Sequence, residues 1–321
     1  MLACRVLLAI WLAAMAGCAS VPFHEPSVSP ALASRLPQQV ELTAVPFHPQ
    51  EPYQCGPAAL ATVLGYAGIE RSVPSLVDDV YVPKRQGSLP TEMLAATRRA
   101  GALPYELTPT LDALLQEIAA GHPVVVLQNM RWEFWPQWHY AVVVGYDLSR
   151  RTLVLRSDTE ARLQMPLADF DDSWRKAQRW AFVVMPLQEL PATANESDYV
   201  KAAASLELVS PMMAQHAYET ALRQWPDSAL ARIGLGNTYY KMGQLDAAGQ
   251  AYRQVTQDHP QSADAWNNLA QVLFEQGRTA QARTAAQHAV ALGGTRLTTY
   301  QTTLDQIERQ QARAIRTPSS P

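Results

Sequence analysis

The spacing of apolar and polar positions divides most of the chain into two parts. Residues 39–187 begin with helical spacing and continue with strand-like runs that are rich in Val and aromatic residues. The pattern predicts helices over 57–66, 89–100 and 109–120, and strands over 123–128, 140–146, 152–156 and 180–185. Helices followed by strands indicate an α+β domain in which the helices pack on one side of an antiparallel sheet.

The second part, residues 199–294, is rich in Ala and helical throughout. Similar residues recur there with a period of about 34 positions, as in Pro226 and Pro260, Leu235 and Leu269, Gly243 and Gly277, and Ala248 and Ala282. Small residues let paired helices approach closely, and a proline ends each unit. We predict two clear repeats after a degraded first copy, with 188–198 as a linker and 295–321 as a capping helix and tail.

This repeated segment resembles the tetratricopeptide repeat in its period and in its residue pattern. The resemblance implies an all-α domain of stacked helix pairs. Such stacks usually bind peptides or proteins on a concave surface, so we expect a protein partner for this domain.

The N-terminus has the pattern of an export signal. Residues 6–16 form an uncharged apolar run, which is too short to span a bilayer but suits a signal core. The run ends in Met15-Ala16-Gly17-Cys18, which resembles the lipobox of bacterial lipoproteins, although Met15 replaces the usual Leu. The resemblance implies a signal peptide over 1–18, a lipid on Cys18 and an outer-membrane location facing the periplasm. An ordinary secretory signal is the alternative.

Residues 19–38 combine several prolines with small polar residues, and we predict a flexible tether there. The formal net charge of -3 over 321 residues gives no indication of nucleic-acid binding. The sequence contains no phosphate-binding loop, dinucleotide motif or zinc-protease motif. It therefore predicts no cofactor, no metal and no nucleic-acid partner.

The cysteines direct attention to Cys55. Cys4 and Cys18 lie in the predicted signal, so processing would leave Cys55 as the only free thiol. It stands at the first turn of a predicted apolar helix, where the helix dipole stabilises a thiolate. Gly56 follows it and would let the backbone approach a substrate. These features favour a nucleophile over a small buried residue.

A base for this thiol is expected on a rigid element. Of the seven histidines, His139 directly precedes the best strand pattern, residues 140–146. If that strand forms a hairpin with 152–156, His139 comes close to Asp158. The order of cysteine, histidine and then a carboxylate or amide is the papain-like order.

These segments together resemble the papain-like C39-type peptidases, a family that includes the bacteriocin leader-processing domains of export transporters. The resemblance is carried by residues 50–64, 139–147 and 157–158, and it extends over about 45–187. It implies an α+β papain-like cysteine peptidase domain over 39–187.

The resemblance also implies a role for each site residue, with Cys55 as nucleophile, His139 as general base, Asp158 as the group that orients it, and Gln50 as the oxyanion donor. Gln54 is the alternative oxyanion donor and a candidate substrate contact. Two positions depart from the family pattern. The family often has Asp where this chain has Gln54, and often has Pro where it has Thr159. Gln50 is also one residue closer to the cysteine than usual, and double-glycine leader cleavage is not carried over.

Four aromatic residues lie in 131–138, just ahead of His139. Trp135 and Trp138 are candidates for a cleft wall that holds an extended peptide. Alternatively, these rings simply cover the end of the sheet.

The sequence thus predicts an envelope-anchored cysteine peptidase that cleaves a peptide or protein amide bond, with a repeat domain that binds a protein. Transamidation or deamidation would use the same triad. A non-catalytic peptide-binding adaptor or scaffold in an envelope or secretion assembly is the alternative.

Overall fold

The computed structural model describes residues 26–316, with side chains as far as residue 313. The predicted signal peptide, the lipidation site Cys18 and residues 19–25 of the predicted tether lie outside this range. Within it, no helix has the length and apolar character needed to cross a membrane.

The described part of the chain contains nine strands, namely β1 (Gln39–Glu41), β2 (Tyr81–Val82), β3 (Gly87–Ser88), β4 (Leu103–Glu106), β5 (Val124–Asn129), β6 (Trp138–Asp147), β7 (Thr152–Ser157), β8 (Glu160–Pro166) and β9 (Ala181–Met185). Seven of them form one antiparallel sheet in the order β4-β9-β5-β6-β7-β8, and β1 pairs with β6 past the end of β5. β2 and β3 form a separate ribbon. The four strands predicted from the sequence are all present in the sheet.

The helices of the first domain are α1 (Pro30–Ala33), α2 (Cys55–Tyr66), α3 (Val73–Val80), α4 (Pro90–Arg99), α5 (Leu111–Ala119) and α6 (Leu167–Arg175). They cover both faces of the sheet, so the prediction of helices on one side is wrong. α2, α3 and α4 share one hydrophobic core with Val125, whereas α5 and α6 share another with Val124 and Val126. These three consecutive valines are all 0% exposed, and a strand that is apolar on both faces needs cover on both.

The prediction of a flexible tether does not hold for residues 26–38. Leu32 of α1 is buried, and Val28 and Leu36 pack against the core beneath α5 and α6. The backbone N–H of Ser29 also donates to Asp112 Oδ1 at 3.0 Å. The apolar residues of this segment find an apolar surface, which outweighs its loop-like composition.

The repeat region consists of three helix pairs and a final helix, namely α7 (Glu196–Ala204) with α8 (Pro211–Gln224), α9 (Ala229–Lys241) with α10 (Leu245–Asp258), α11 (Ala263–Glu275) with α12 (Thr279–Leu292), and α13 (Leu297–Arg316). The small residues Ala214, Ala248 and Ala282 recur at the predicted spacing and are all fully buried. The helical repeats and the capping helix are therefore as predicted.

A buried carboxylate of the first domain holds the linker. The carboxylate of Glu117 accepts hydrogen bonds from the Ala192 and Thr193 backbone N–H groups, at 3.1 and 2.7 Å, and from Thr193 Oγ1 at 2.6 Å. His122 Nδ1 lies 2.6 Å from the same carboxylate. The core beneath the sheet continues without a break into the first repeat helices, as far as Ala231.

Candidate active site

Cys55 is the first residue of α2, as predicted, and the segment before it ends in the N-cap residue Gln54. The helix that follows is buried on every side from Gly56 to Leu64. Gly56 is needed for packing, because a Cβ there would lie 2.3 Å from Ser88 Oγ and 2.6 Å from Ser88 Cβ. Gly56 therefore lets β3 pack against the start of α2, and it is not among the residues that line the cleft.

A cleft of about 1050 Å³ opens beside Cys55. Its walls come from the start of α2, the turn between β2 and β3, the start of β6 and the turn after β7. It brings together four of the predicted site residues with one of the predicted tryptophans, namely Gln50, Cys55, His139, Asp158 and Trp138. All of its lining residues lie between 50 and 159, so the repeat domain contributes none of them.

The predicted hairpin between β6 and β7 is confirmed. Val143 pairs with Leu155 and Asp147 with Thr152, with one irregularity at Val143/Gly145. His139 lies near the start of β6 and pairs with Gln128 of β5. Because β6 also pairs with β7 on its other side, His139 lies beside the end of β7.

The side chain that holds His139 is Ser157, the last residue of β7, and not Asp158. His139 Nε2 lies 2.8 Å from Ser157 Oγ. Asp158 occupies the turn between β7 and β8 with a left-handed φ of 53° and an exposed side chain. Its backbone carbonyl accepts from the Gln50 N–H at 3.0 Å, which fixes the turn. Among the described side chains, Asp158 therefore makes no hydrogen bond to His139.

The electrostatics of the cleft favour neutral forms of both groups. Burial raises the pKa of the Cys55 thiol, and backbone groups of Tyr140 and Gly56 only partly offset this. Burial lowers the pKa of His139, and the charge of Asp158 opposes that shift. Desolvation of the thiol therefore opposes the stabilisation of a thiolate that the helix dipole was expected to give.

The two candidate oxyanion donors lie in different places. Gln50 lines the cleft, and its Nε2 donates to the Tyr140 carbonyl at 3.4 Å. Gln54 Nε2 lies 3.5 Å from Glu51 Oε2 and faces a separate depression beside α3. The geometry favours Gln50, whose amide would have to turn from the Tyr140 carbonyl toward the substrate.

The predicted aromatic wall is a short hairpin loop between β5 and β6. Asn129 holds the loop, because its Oδ1 accepts from the Arg131 and Gln137 backbone N–H groups at 3.1 and 3.0 Å. Trp138 is 52% exposed and lines the cleft, whereas Trp135 is 68% exposed and does not. The two predicted substrate contacts therefore separate into one cleft residue and one neighbouring surface residue.

Sequence reasoning missed Ser157 and two cations at the cleft, Lys84 and Arg85, which lie in the turn between β2 and β3. Ser157 is adjacent to Asp158 in the sequence, but only the register of the β7–β8 hairpin shows which side chain meets the imidazole. The cations lie in a segment without a periodic pattern, so no sequence signal indicated them.

Comparison with known families agrees with this architecture. Residues 42–182 match the family described as "Peptidase_C39 like family", and 211–254 and 233–295 match the tetratricopeptide repeat. The chain therefore combines a domain of the Peptidase_C39-like family with tetratricopeptide repeats, as the sequence predicted. No curated protein shows significant similarity to the chain.

Three solved structures illustrate the two halves. A protein described as a C39-like peptidase from Bacillus anthracis is 19% identical and covers 46% of this chain and 98% of its own, with a TM-score of 0.38. A double glycine motif protease from an AMS/PCAT transporter, in complex with the leader peptide, is 23% identical over 45% of this chain and 93% of its own, with a TM-score of 0.34. The Sgt2 TPR domain from Aspergillus fumigatus is 21% identical over 40% of this chain and 87% of its own, with a TM-score of 0.36.

Proposed function

We propose that this protein is a cysteine peptidase of the bacterial cell envelope, with Cys55 as nucleophile and His139 as general base. The observation that carries the proposal is that the thiol at the start of α2 and the imidazole at the start of β6 line one cleft, within a Peptidase_C39-like domain. A lipid on Cys18 would anchor the protein to the outer membrane, facing the periplasm.

The chemistry begins from a neutral pair. As Cys55 Sγ attacks the carbonyl carbon of the substrate amide, the thiol proton passes to His139. The imidazolium then gives that proton to the leaving amine, and a thioester remains on Cys55. Water hydrolyses the thioester, and an amine in place of water would give transamidation. Gln50 is the candidate donor to the oxyanion, and the charge of Asp158 favours the imidazolium.

The two domains have separate tasks in this proposal. The cleft accepts an extended peptide, with Trp138 as one wall. The repeats lie outside the lining of the cleft, so they recruit a substrate or a scaffold protein and do not shape the reaction site. The cleft and the repeats therefore bind at two separate surfaces of the protein.

A second candidate function is a peptide-binding adaptor without catalysis. Two observations favour it: burial raises the pKa of Cys55, and Asp158 makes no described hydrogen bond to His139. An adaptor would use the same cleft and the same aromatic wall to bind a peptide.

The experiment that separates the two functions compares wild-type protein with Cys55→Ala, both carrying a crosslinker and exposed to envelope extract. A peptidase predicts that the variant accumulates intact proteins that the wild type cleaves, and mass spectrometry of the captured fragments identifies the cut. An adaptor predicts that both proteins retain the same intact proteins and that no captured protein is cleaved by the wild type, and that result would remove the catalytic proposal.

A further inference from the structure

The imidazole in this cleft is held by a hydroxyl group. Ser157 Oγ lies 2.8 Å from His139 Nε2, and Ser157 is buried at the end of β7. Its backbone pairs with Glu160 across the turn to β8. The hydroxyl is therefore positioned by the strand pairing of the sheet.

Asp158 is poorly placed to replace this contact. It is a turn residue with φ of 53°, and its carbonyl is tied to the Gln50 N–H. The carboxylate would reach the position of the Ser157 hydroxyl only if this turn were rearranged. The charge of Asp158 is nevertheless close enough to act on both His139 and Cys55.

We propose that Ser157 is the positioning residue of His139, and that Asp158 contributes charge alone. This inference rests on the proposed function. In the reactive tautomer, Nε2–H donates a hydrogen bond to the Ser157 hydroxyl, and Nδ1 carries no hydrogen and can take the proton of the Cys55 thiol.

The proton positions give this arrangement a specific consequence. A neutral imidazole has one nitrogen that donates and one that accepts, and a hydroxyl can match either form. An ionised carboxylate only accepts, and so it would fix the tautomer. When Cys55 transfers its proton, both ring nitrogens carry hydrogen, and Ser157 can then only accept. A hydrogen bond donated by the charged imidazolium is stronger than one from the neutral ring, so Ser157 stabilises the pair of thiolate and imidazolium more than it stabilises the neutral pair.

Ser157 and Asp158 are expected to affect Cys55 differently. Loss of the Ser157 hydroxyl lowers the population of the charged pair, which is the reactive form at neutral pH. Above the pKa of the thiol, the thiolate forms without the imidazole, so the same loss has no effect. Loss of the Asp158 charge removes one effect that favours the imidazolium and one that opposes the thiolate. These two effects partly cancel at neutral pH. The increase in Cys55 reactivity that accompanies ionisation of the thiol at alkaline pH moves to lower pH.

The test is alkylation of Cys55 by iodoacetamide in the full-length protein, followed by mass spectrometry of the peptide that contains Cys55. Rates are measured from neutral to alkaline pH. We expect Ser157→Ala to lower the neutral rate roughly two-fold to ten-fold, as for one hydrogen bond, and to leave the alkaline rate unchanged. Ser157→Thr keeps a hydroxyl and should restore most of the rate. Asp158→Asn should shift the alkaline rise to lower pH with a smaller change at neutral pH.

Two controls make the outcomes distinct. Ser149→Ala removes a hydroxyl from an exposed turn, where it contacts Asp147, and should change nothing. Thermal unfolding of each variant checks that it folds. If Ser157→Ala matches Ser149→Ala while Asp158→Asn loses as much rate as His139→Ala, this inference is wrong but the proposed function stands. If His139→Ala itself has no effect on the rate, the base of the proposed mechanism is lost as well.

Discussion

The repeat domain and the cleft beside Cys55 differ in the sequence distance between residues that meet. In the repeats, Tyr218 packs on Gly234 and Tyr252 on Gly236, so contacts join neighbouring helices. In the cleft, residues between 50 and 159 converge from one helix, a ribbon and two strands. A fixed sequence period therefore predicts the repeat contacts directly, whereas the cleft depends on strand register and turn conformation.

The largest expected effect is at the junction of these two regions. Glu117→Ala would leave the Ala192 and Thr193 N–H groups without their buried acceptor. Glu117 is 0% exposed at its side chain, so we expect a loss of about 3 kcal/mol in the free energy of unfolding. Urea denaturation would measure it, and the repeats should begin to unfold separately from the sheet. Glu189→Ala, at an exposed linker position, is the matched control, and an equal effect of both variants would contradict the role of Glu117.

Two glycines provide the next test, because the same substitution should act differently in the two regions. An added Cβ would lie 2.5 Å from the Tyr252 ring at Gly236 and 2.3 Å from Ser88 Oγ at Gly56. We expect Gly236→Ala and Gly56→Ala each to cost about 1–3 kcal/mol of stability. Only Gly56→Ala should change the rate of Cys55 alkylation, since it displaces β3 from the cleft. A change of that rate in Gly236→Ala would show that the repeats influence the cleft.

The sequence was sufficient to predict the elements whose patterns are local. α2, α4 and α5, together with β5, β6, β7 and β9, have strong apolar runs or helical periods, and all are present near their predicted bounds. The helical repeats followed from their period. By contrast, β8 was missed although Ala161, Leu163 and Met165 alternate with polar residues, because the run is short and its side chains are mostly exposed.

The candidate site was only partly predictable. Cys55 and His139 stand at element ends, and such positions can be read from the sequence. Whether Ser157 or Asp158 contacts His139 depends on which residue adopts the left-handed conformation in the turn before β8. The sequence Asp158-Thr159 does not specify that residue. The anchoring of residues 26–38 and of the linker depends on Asp112 and Glu117, which are distant in sequence and carry no motif.

The aromatic hairpin tests which surface residues belong to the cleft. Trp138 lines it and Trp135 does not. In a Cys55→Ala background, we expect Trp138→Ala to weaken binding of labelled casein peptides about ten-fold, because the peptide loses an aromatic side chain that it would cover on binding. Trp135→Ala should change binding less than about three-fold. Fluorescence anisotropy would measure both, and equal losses would extend the peptide site over the whole hairpin.

The smallest expected effect concerns the resting thiol. Because burial raises the pKa of Cys55, native protein should react with iodoacetamide a few-fold more slowly at neutral pH than urea-unfolded protein. The same shift makes the free energy of unfolding depend on pH. The stabilisation from the neutral thiol is fully present below the pKa that the thiol has in the unfolded protein, and it is lost as pH rises through the higher pKa that it has in the folded protein. Cys55→Ser, whose hydroxyl does not ionise in this range, should remove that part of the pH dependence. A native rate above the unfolded rate would instead mean that His139 already stabilises the thiolate in the free protein, and the inference of a neutral resting pair would be wrong.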